Sequence, residues 1–144
     1  MKYQIGKPGR VVVARLEDKD DVLGSIVSIA KKEDIRAGFV SIVGGMREGS
    51  IVVGPEKDVF PPTPVWKKLG ESHEVTGFGT IFWQDDEPKV HFHGAFGKKE
   101  MVKVGCLREN SETFLVLEVV IVEIDGVYAK REIDPVSGMV LLKV

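Results

Sequence analysis

Only one stretch of this chain carries apolar residues at helical spacing, and most of the sequence beyond it alternates or runs in short β-branched blocks, so a single helix must pack against many strands. Val22, Leu23, Ile26, Val27 and Ala30 recur at three- and four-residue intervals. Asp20 and Asp21 stand where the helix dipole favours negative charge, and Lys31 and Lys32 where it favours positive. With Gly38 available to close the segment, the spacing predicts an amphipathic helix of about four turns. Ahead of it, Val11, Val12 and Val13 open a strand that the charged cluster Glu17-Asp18-Lys19-Asp20 ends.

The later segments pair by their turns. Residues 38–43 and 50–53 are strand-like and separated by Gly44-Gly45, and residues 75–83 and 88–96 flank the polar turn Gln84-Asp85-Asp86-Glu87. Residues 114–124 and 127–133 flank Asp125-Gly126, the strongest short hairpin signal in the chain, and residues 139–142 read as one more short strand. Residues 54–64 hold Pro55, Pro61, Pro62 and Pro64, which cannot donate to a ladder, so this segment reads as a loop. The pattern is α+β, and no repeat or linker divides residues 1–144 into more than one domain.

Charge and cysteine usage narrow the function classes. The chain carries 20 Lys plus Arg against 22 Asp plus Glu, a net charge of −2, whereas proteins that hold nucleic acid by neutralising phosphates concentrate basic residues. Lys67-Lys68 and Lys98-Lys99 are too short for such a patch and read as loop or strand-edge lysines. One cysteine excludes an internal disulfide framework, and no apolar run approaches the length of a membrane span, so a cytoplasmic setting is expected.

The chemistry-bearing residues gather in one place. His91 and His93 flank Phe92, and on an extended strand alternate residues share a face, so the two imidazoles form a pair. The next segment is apolar at its ends and polar around Gly97-Lys98-Lys99-Glu100, as in a hairpin. A symmetric, bulge-free hairpin pairs Phe96 with Lys103 and sets His93 opposite Cys106, the only cysteine. Two imidazoles and a thiol on one face form a three-ligand zinc constellation with a position left for water or substrate. A slip of one residue would send Cys106 to the other face. If the turn at residues 84–87 is also symmetric, Glu74, Thr76 and Thr80 share that face; Glu74 then offers a general base or further ligand, and Arg15 offers a cation for an anionic substrate.

Several landmarks also fall in a recognisable order: VVVARLE, the helix DVLGSIVSIAKKEDIRAGFVSIVGG, Glu74-Val75-Thr76-Gly77, VHFHGAFG and VGCL. Together they resemble the PPC family, a domain conserved in plants and prokaryotes that in plants follows an AT-hook, and the likeness runs over residues 11–142. The resemblance implies a central antiparallel sheet packed beside one main helix, and a homotrimer. It also implies metal ligation at His91 and His93, with Cys106 standing where prokaryotic members often carry another histidine. The plant signature Gly-Arg-Phe-Glu-Ile-Leu survives only as Glu74 and Val75, so partner contacts carried by that signature are not expected here. DNA contact in the plant proteins is attributed to the hook, which is not found in this sequence.

Three functional readings are open. The first is a trimeric, zinc-dependent protein that binds or hydrolyses a small molecule through His91, His93 and Cys106. The second is the DNA-binding or regulatory role that family membership suggests, against which the charge balance argues. The third is a trimeric assembly module for another protein, for which residues 114–122, apolar on both faces except at Glu118, supply a strand suited to burial between helix and neighbouring subunit.

Overall fold

The computed structural model describes residues 1–144, and no helix in it is long and apolar enough to cross a membrane. The chain order is β1 (Lys7–Glu17), α1 (Val22–Lys32), β2 (Ala37–Pro55), β3 (Pro64–Leu69), β4 (His73–Gln84), β5 (Glu87–Lys98), β6 (Met101–Asp125), β7 (Lys130–Ile133) and β8 (Val140–Lys143). All ladders are antiparallel. One helix beside a mostly antiparallel sheet is the expected α+β arrangement.

The helix is shorter than its periodicity suggests, at 11 residues, because the chain stops it before the glycine. Asp21 caps its start, accepting from the Gly24 amide at 3.1 Å and from the Ser111 hydroxyl at 2.6 Å. At the other end Asp34 takes a left-handed conformation (φ 52°), which brings the Ile35 amide to the Ala30 carbonyl at 2.9 Å and the Asp34 amide to the Lys31 carbonyl at 3.3 Å. Ile35 and Ala30 are both fully buried at this stop, the apolar contact that accompanies such a cap. Gly38 lies inside β2 instead.

Two long strands organise the sheet. The main sheet runs β1-β6-β5-β4-β2-β3, and β6 also pairs with β2, so the pairings from β6 through β5, β4 and β2 return to β6 and close a circuit. Inside it sits a core of Val40, Ile42, Met46, Ile51, Phe92, Phe96, Leu107, Leu117, Val119 and Ile121, against which α1 packs Val22, Ile26 and Ala30. Burying side chains of this kind is worth roughly 1.5–3 kcal/mol each, which makes this cluster the principal stabilising element.

Gly44-Gly45 does not separate a pair of strands as expected. Gly44 adopts φ 144°, and a Cβ there would lie 2.5 Å from the Val116 carbonyl oxygen, so the glycine lets β2 run hard against β6 while the register shifts between Gly44 and Met46. Nor does Asp125-Gly126 close a hairpin. The segment of β6 before it already holds β1 on one side, with Val13 opposite Val120, and β2 on the other, with Ser41 opposite Val120. With both edges filled, the chain passes on, and β7 pairs with β8 as a separate two-stranded sheet. The expected loop at residues 54–64 is shorter, 56–63: Pro55 ends β2 and Pro64 opens the edge strand β3, the two standing opposite each other at the irregular end of that ladder, and Lys67 and Lys68 on β3 are exposed.

Candidate metal centre

The site is built on the β4–β5–β6 region of the sheet by alternation. The β4 and β5 register runs without a break from Gln84 opposite Glu87 to Glu74 opposite Gly97, and β5 continues onto β6 with Phe96 opposite Lys103 and His93 opposite Cys106. Both hairpins are therefore symmetric and free of bulges, the condition that brings the thiol to the histidines' face. Phe92, between them, points the other way and is fully buried. Its ring lies where Gly77 leaves room, since a Cβ on Gly77 would stand 2.4 Å from Phe92 Cζ. A phenylalanine locked into the core thus fixes the strand that presents the two imidazoles.

The donor atoms converge. His91 Nε2 and His93 Nε2 are 3.1 Å apart with their rings nearly edge to face, and one ring nitrogen of each histidine and Cys106 Sγ all lie within 4.8 Å of one another. Tetrahedral zinc bonded to nitrogen and sulfur at ordinary lengths requires donor separations of about 3.3–3.6 Å. The two nitrogens are close to that spacing, and a modest approach of the sulfur completes it. The donor set of two imidazoles and one thiolate suits zinc, so the residues present fit the ion.

Electrostatics prepare the ligands unequally. The pKa of His91 is lowered, first by burial against its neighbours and then by the positive charges of Arg131, His93 and Arg108, which keeps the ring neutral and able to ligate. Burial pushes the Cys106 thiol up, while Arg108, the Phe92 amide and Arg131 pull it partly back. Cys106 is 3 % exposed and the histidines are exposed, so the centre has one buried and two open sides. Any metal entering must displace the thiol proton.

Other residues named from the sequence lie apart. Glu74 shares the face of the histidines but sits opposite Gly97, four residues along β5 from His93, about 14 Å at the rise of an extended strand. Arg15 stands on β1 opposite Glu118, four strand positions from β5 by way of β6, β2 and β4, with its guanidinium paired to Glu17. Thr80 is directly opposite His91. The third histidine, His73, is buried at the start of β4, with Nδ1 2.5 Å from the Glu71 carbonyl, and takes no part in the cluster.

Two arginines escape the sequence reading. Arg108 follows Cys106 by two positions, at a shift in the β2–β6 register, and its charge acts on both Cys106 and His91. Arg131 arrives from β7, its Nη2 donating to Thr80 Oγ1 at 3.1 Å, and no local pattern announces that contact.

Comparison with known proteins agrees with the fold. A metal-containing protein from Archaeoglobus fulgidus superimposes with a TM-score of 0.88 at 25% identity, covering 100% of both chains. A plant- and prokaryote-conserved protein from Pyrococcus horikoshii gives 0.86 at 24% identity, covering 100% of this chain and 98% of that one. A candidate DNA-binding protein from Ralstonia eutropha JMP134 gives 0.75 at 21% identity over 92% and 90% of the two chains, a likeness of fold alone. No curated protein matches the sequence. Residues 3–125 match the Plants and Prokaryotes Conserved domain, and the chain belongs to that family.

Proposed function

We propose that this protein binds one zinc ion per subunit through His91, His93 and Cys106 and uses it to hold a small molecule. The observation that carries the reading is the convergence of the three donors within 4.8 Å on one face of two unbroken ladders. The similar Archaeoglobus fulgidus protein is described as metal-containing, which supports the same reading. Zinc bound there would supply Lewis acidity and lower the pKa of a coordinated water. His91 and His93 would each hold the ion through one ring nitrogen while the other carries the proton, and Cys106 would hold it as thiolate. Glu74 is too far along β5 to act on a molecule held at His93, so binding is better supported than hydrolysis. Elemental analysis of untagged protein should give one zinc per chain, and none in His93→Ala; wild-type protein that takes up no zinc at micromolar concentration would refute the site.

We also infer that the protein works as a homotrimer. The outer sheet face that carries the histidines is broadly apolar and exposed: Val13 is 76% exposed, Phe78 62%, Val104 63% and Val43 55%. A face of this kind invites cover by another copy, and cyclic closure would bury these apolar residues. The long apolar stretch of β6 contributes by its outer side only, since Leu117, Val119 and Ile121 are spent on the subunit's own core. Light scattering should give about three times 15.9 kDa, and a stable monomer at micromolar concentration would overturn the inference. DNA binding has the weaker support, because a net charge of −2 offers little counterion release. A cytoplasmic setting fits a cysteine that must stay reduced to ligate.

A further inference from the structure

We infer that the open side of the metal centre is an oxyanion subsite, in which Arg131 and Arg108 receive the carboxylate or phosphate of a small ligand beside His91 and Cys106. The inference deepens the metal reading by naming its ligand class, and it rests on that reading for the neighbour the anion would have.

Arg131 is 7% exposed, yet it has no carboxylate partner. Its one side-chain contact is the Nη2 bond to Thr80 Oγ1 at 3.1 Å, and Thr80 is the residue directly across the ladder from His91. Its Nε is buried and has no acceptor. A guanidinium in that condition carries a large uncompensated cost, because a buried charge is tolerated when an opposite charge or a full set of hydrogen bonds meets it. Eight of this chain's other basic residues do form ion pairs, so carboxylates are available elsewhere and absent here.

Arg108 adds a second positive charge on the same ground. It lies two residues beyond Cys106 on β6, where the register with β2 shifts between Leu107 and Glu109, close enough for its charge to act on His91, Cys106 and Arg131, and it too forms no ion pair. A divalent ion held by one thiolate and two neutral imidazoles keeps a charge of about +1, and the arginines bring the neighbourhood to about +3. An oxyanion is the ligand class that answers this charge, and a guanidinium offers it planar paired donors that a lysine does not. Arg131 reaches the site from the C-terminal hairpin of β7 and β8, so two separate parts of the chain supply the positive charge.

Calorimetric titration of the zinc-loaded full chain with inorganic phosphate and with acetate, using acetamide as the uncharged control, tests the inference. We expect saturable uptake of an anion, no uptake of acetamide, and binding weakened about tenfold or more in Arg131→Gln at unchanged zinc content, as loss of a charge-assisted hydrogen bond demands. Tighter acetate would assign a carboxylate ligand and tighter phosphate a phosphate ligand. Anion affinity equal in wild type and Arg131→Gln, or no anion uptake by the zinc-loaded chain, would overturn the subsite while leaving the metal site standing. Should the chain load no zinc, the metal reading falls, and the same titration on metal-free protein decides: anion uptake lost in Arg131→Gln supports the subsite, and its absence in wild type overturns it. If Arg131→Gln does not fold, Arg108→Gln is read by the same criteria.

Discussion

Zinc should raise the melting temperature of this protein by an amount that can be worked out in advance, and His93→Ala should abolish the rise. A ligand that binds only the folded state, at about one hundred times its dissociation constant, adds about 2.7 kcal/mol. A domain of 144 residues unfolds with an entropy near 0.3 kcal/mol/K, from about 2.1 cal/mol/K per residue. The quotient is a shift of about 9 °C. His93 stands at the centre of the site, 3.1 Å from His91 by its nitrogen and directly opposite Cys106, so its loss leaves two donors that cannot hold the ion against water. It is an exposed side chain, and its removal opens no core cavity. The metal-free melting points of wild type and variant should therefore agree within about 2 °C, since substitutions of exposed side chains away from special features change stability little. Differential scanning calorimetry with and without zinc reads both quantities. A variant that keeps the full zinc shift would show that the ion binds elsewhere, and the ligand assignment would fail.

Zinc affinity should fall as pH drops from 7 to 6 with a slope of about one proton per ion, because the raised Cys106 must deprotonate to ligate while the lowered His91 stays neutral; a pH-independent affinity would exclude thiolate ligation. For the metal-free chain the lowered His91 gives the opposite of a stabilising group: the unfolded state binds the extra proton, so stability should decline as pH falls through about 6.5 and level off below the folded value, which urea titrations across pH 5–8 would reveal. Phe92→Ala should cost about 3–5 kcal/mol, since the ring is fully buried against Gly77; a loss under about 1 kcal/mol by urea unfolding would refute its role in fixing β5. Asp34→Gly should stabilise the fold by roughly 0.5–1 kcal/mol by relieving a left-handed non-glycine residue at the helix stop, and a destabilised variant would show that the Asp34–Arg36 pair matters more than the backbone.

Where local chemistry decides the structure, the residues could be read directly. Two polar turns flanked by apolar segments set the β4–β5 and β5–β6 registers, and from those the meeting of His93 and Cys106 follows by counting. What could not be read was competition for strand edges. Asp125-Gly126 is a sound turn, but β1, more than a hundred residues earlier, had already taken the edge that a returning strand would need. Gly44-Gly45 looks like a break because glycine breaks strands when nothing opposes it, and here the β6 backbone opposes it closely enough that only glycine fits. Arg131 was invisible for a related reason: its place beside Thr80, opposite His91, depends on how β7 lies across β4, a packing of short elements that leaves no periodic trace.

The long strand β6 also governs the order in which this chain can acquire its structure. It supplies partners to β1, β2 and β5, so three ladders wait on residues 101–125, and β1 waits longest, with Lys7 pairing only when Asp125 is available. During synthesis from the N-terminus, β4 and β5 can meet as a local hairpin as soon as both have emerged, whereas β1 and most of the inner face of β2 stay unmatched until the last fifth of the chain appears. Folding should therefore be slow for a protein of this size and should end in one late, concerted step. The exposed β-branched edge of β1 is the segment most at risk of pairing wrongly in the interval, and truncation anywhere before residue 125 should yield insoluble protein.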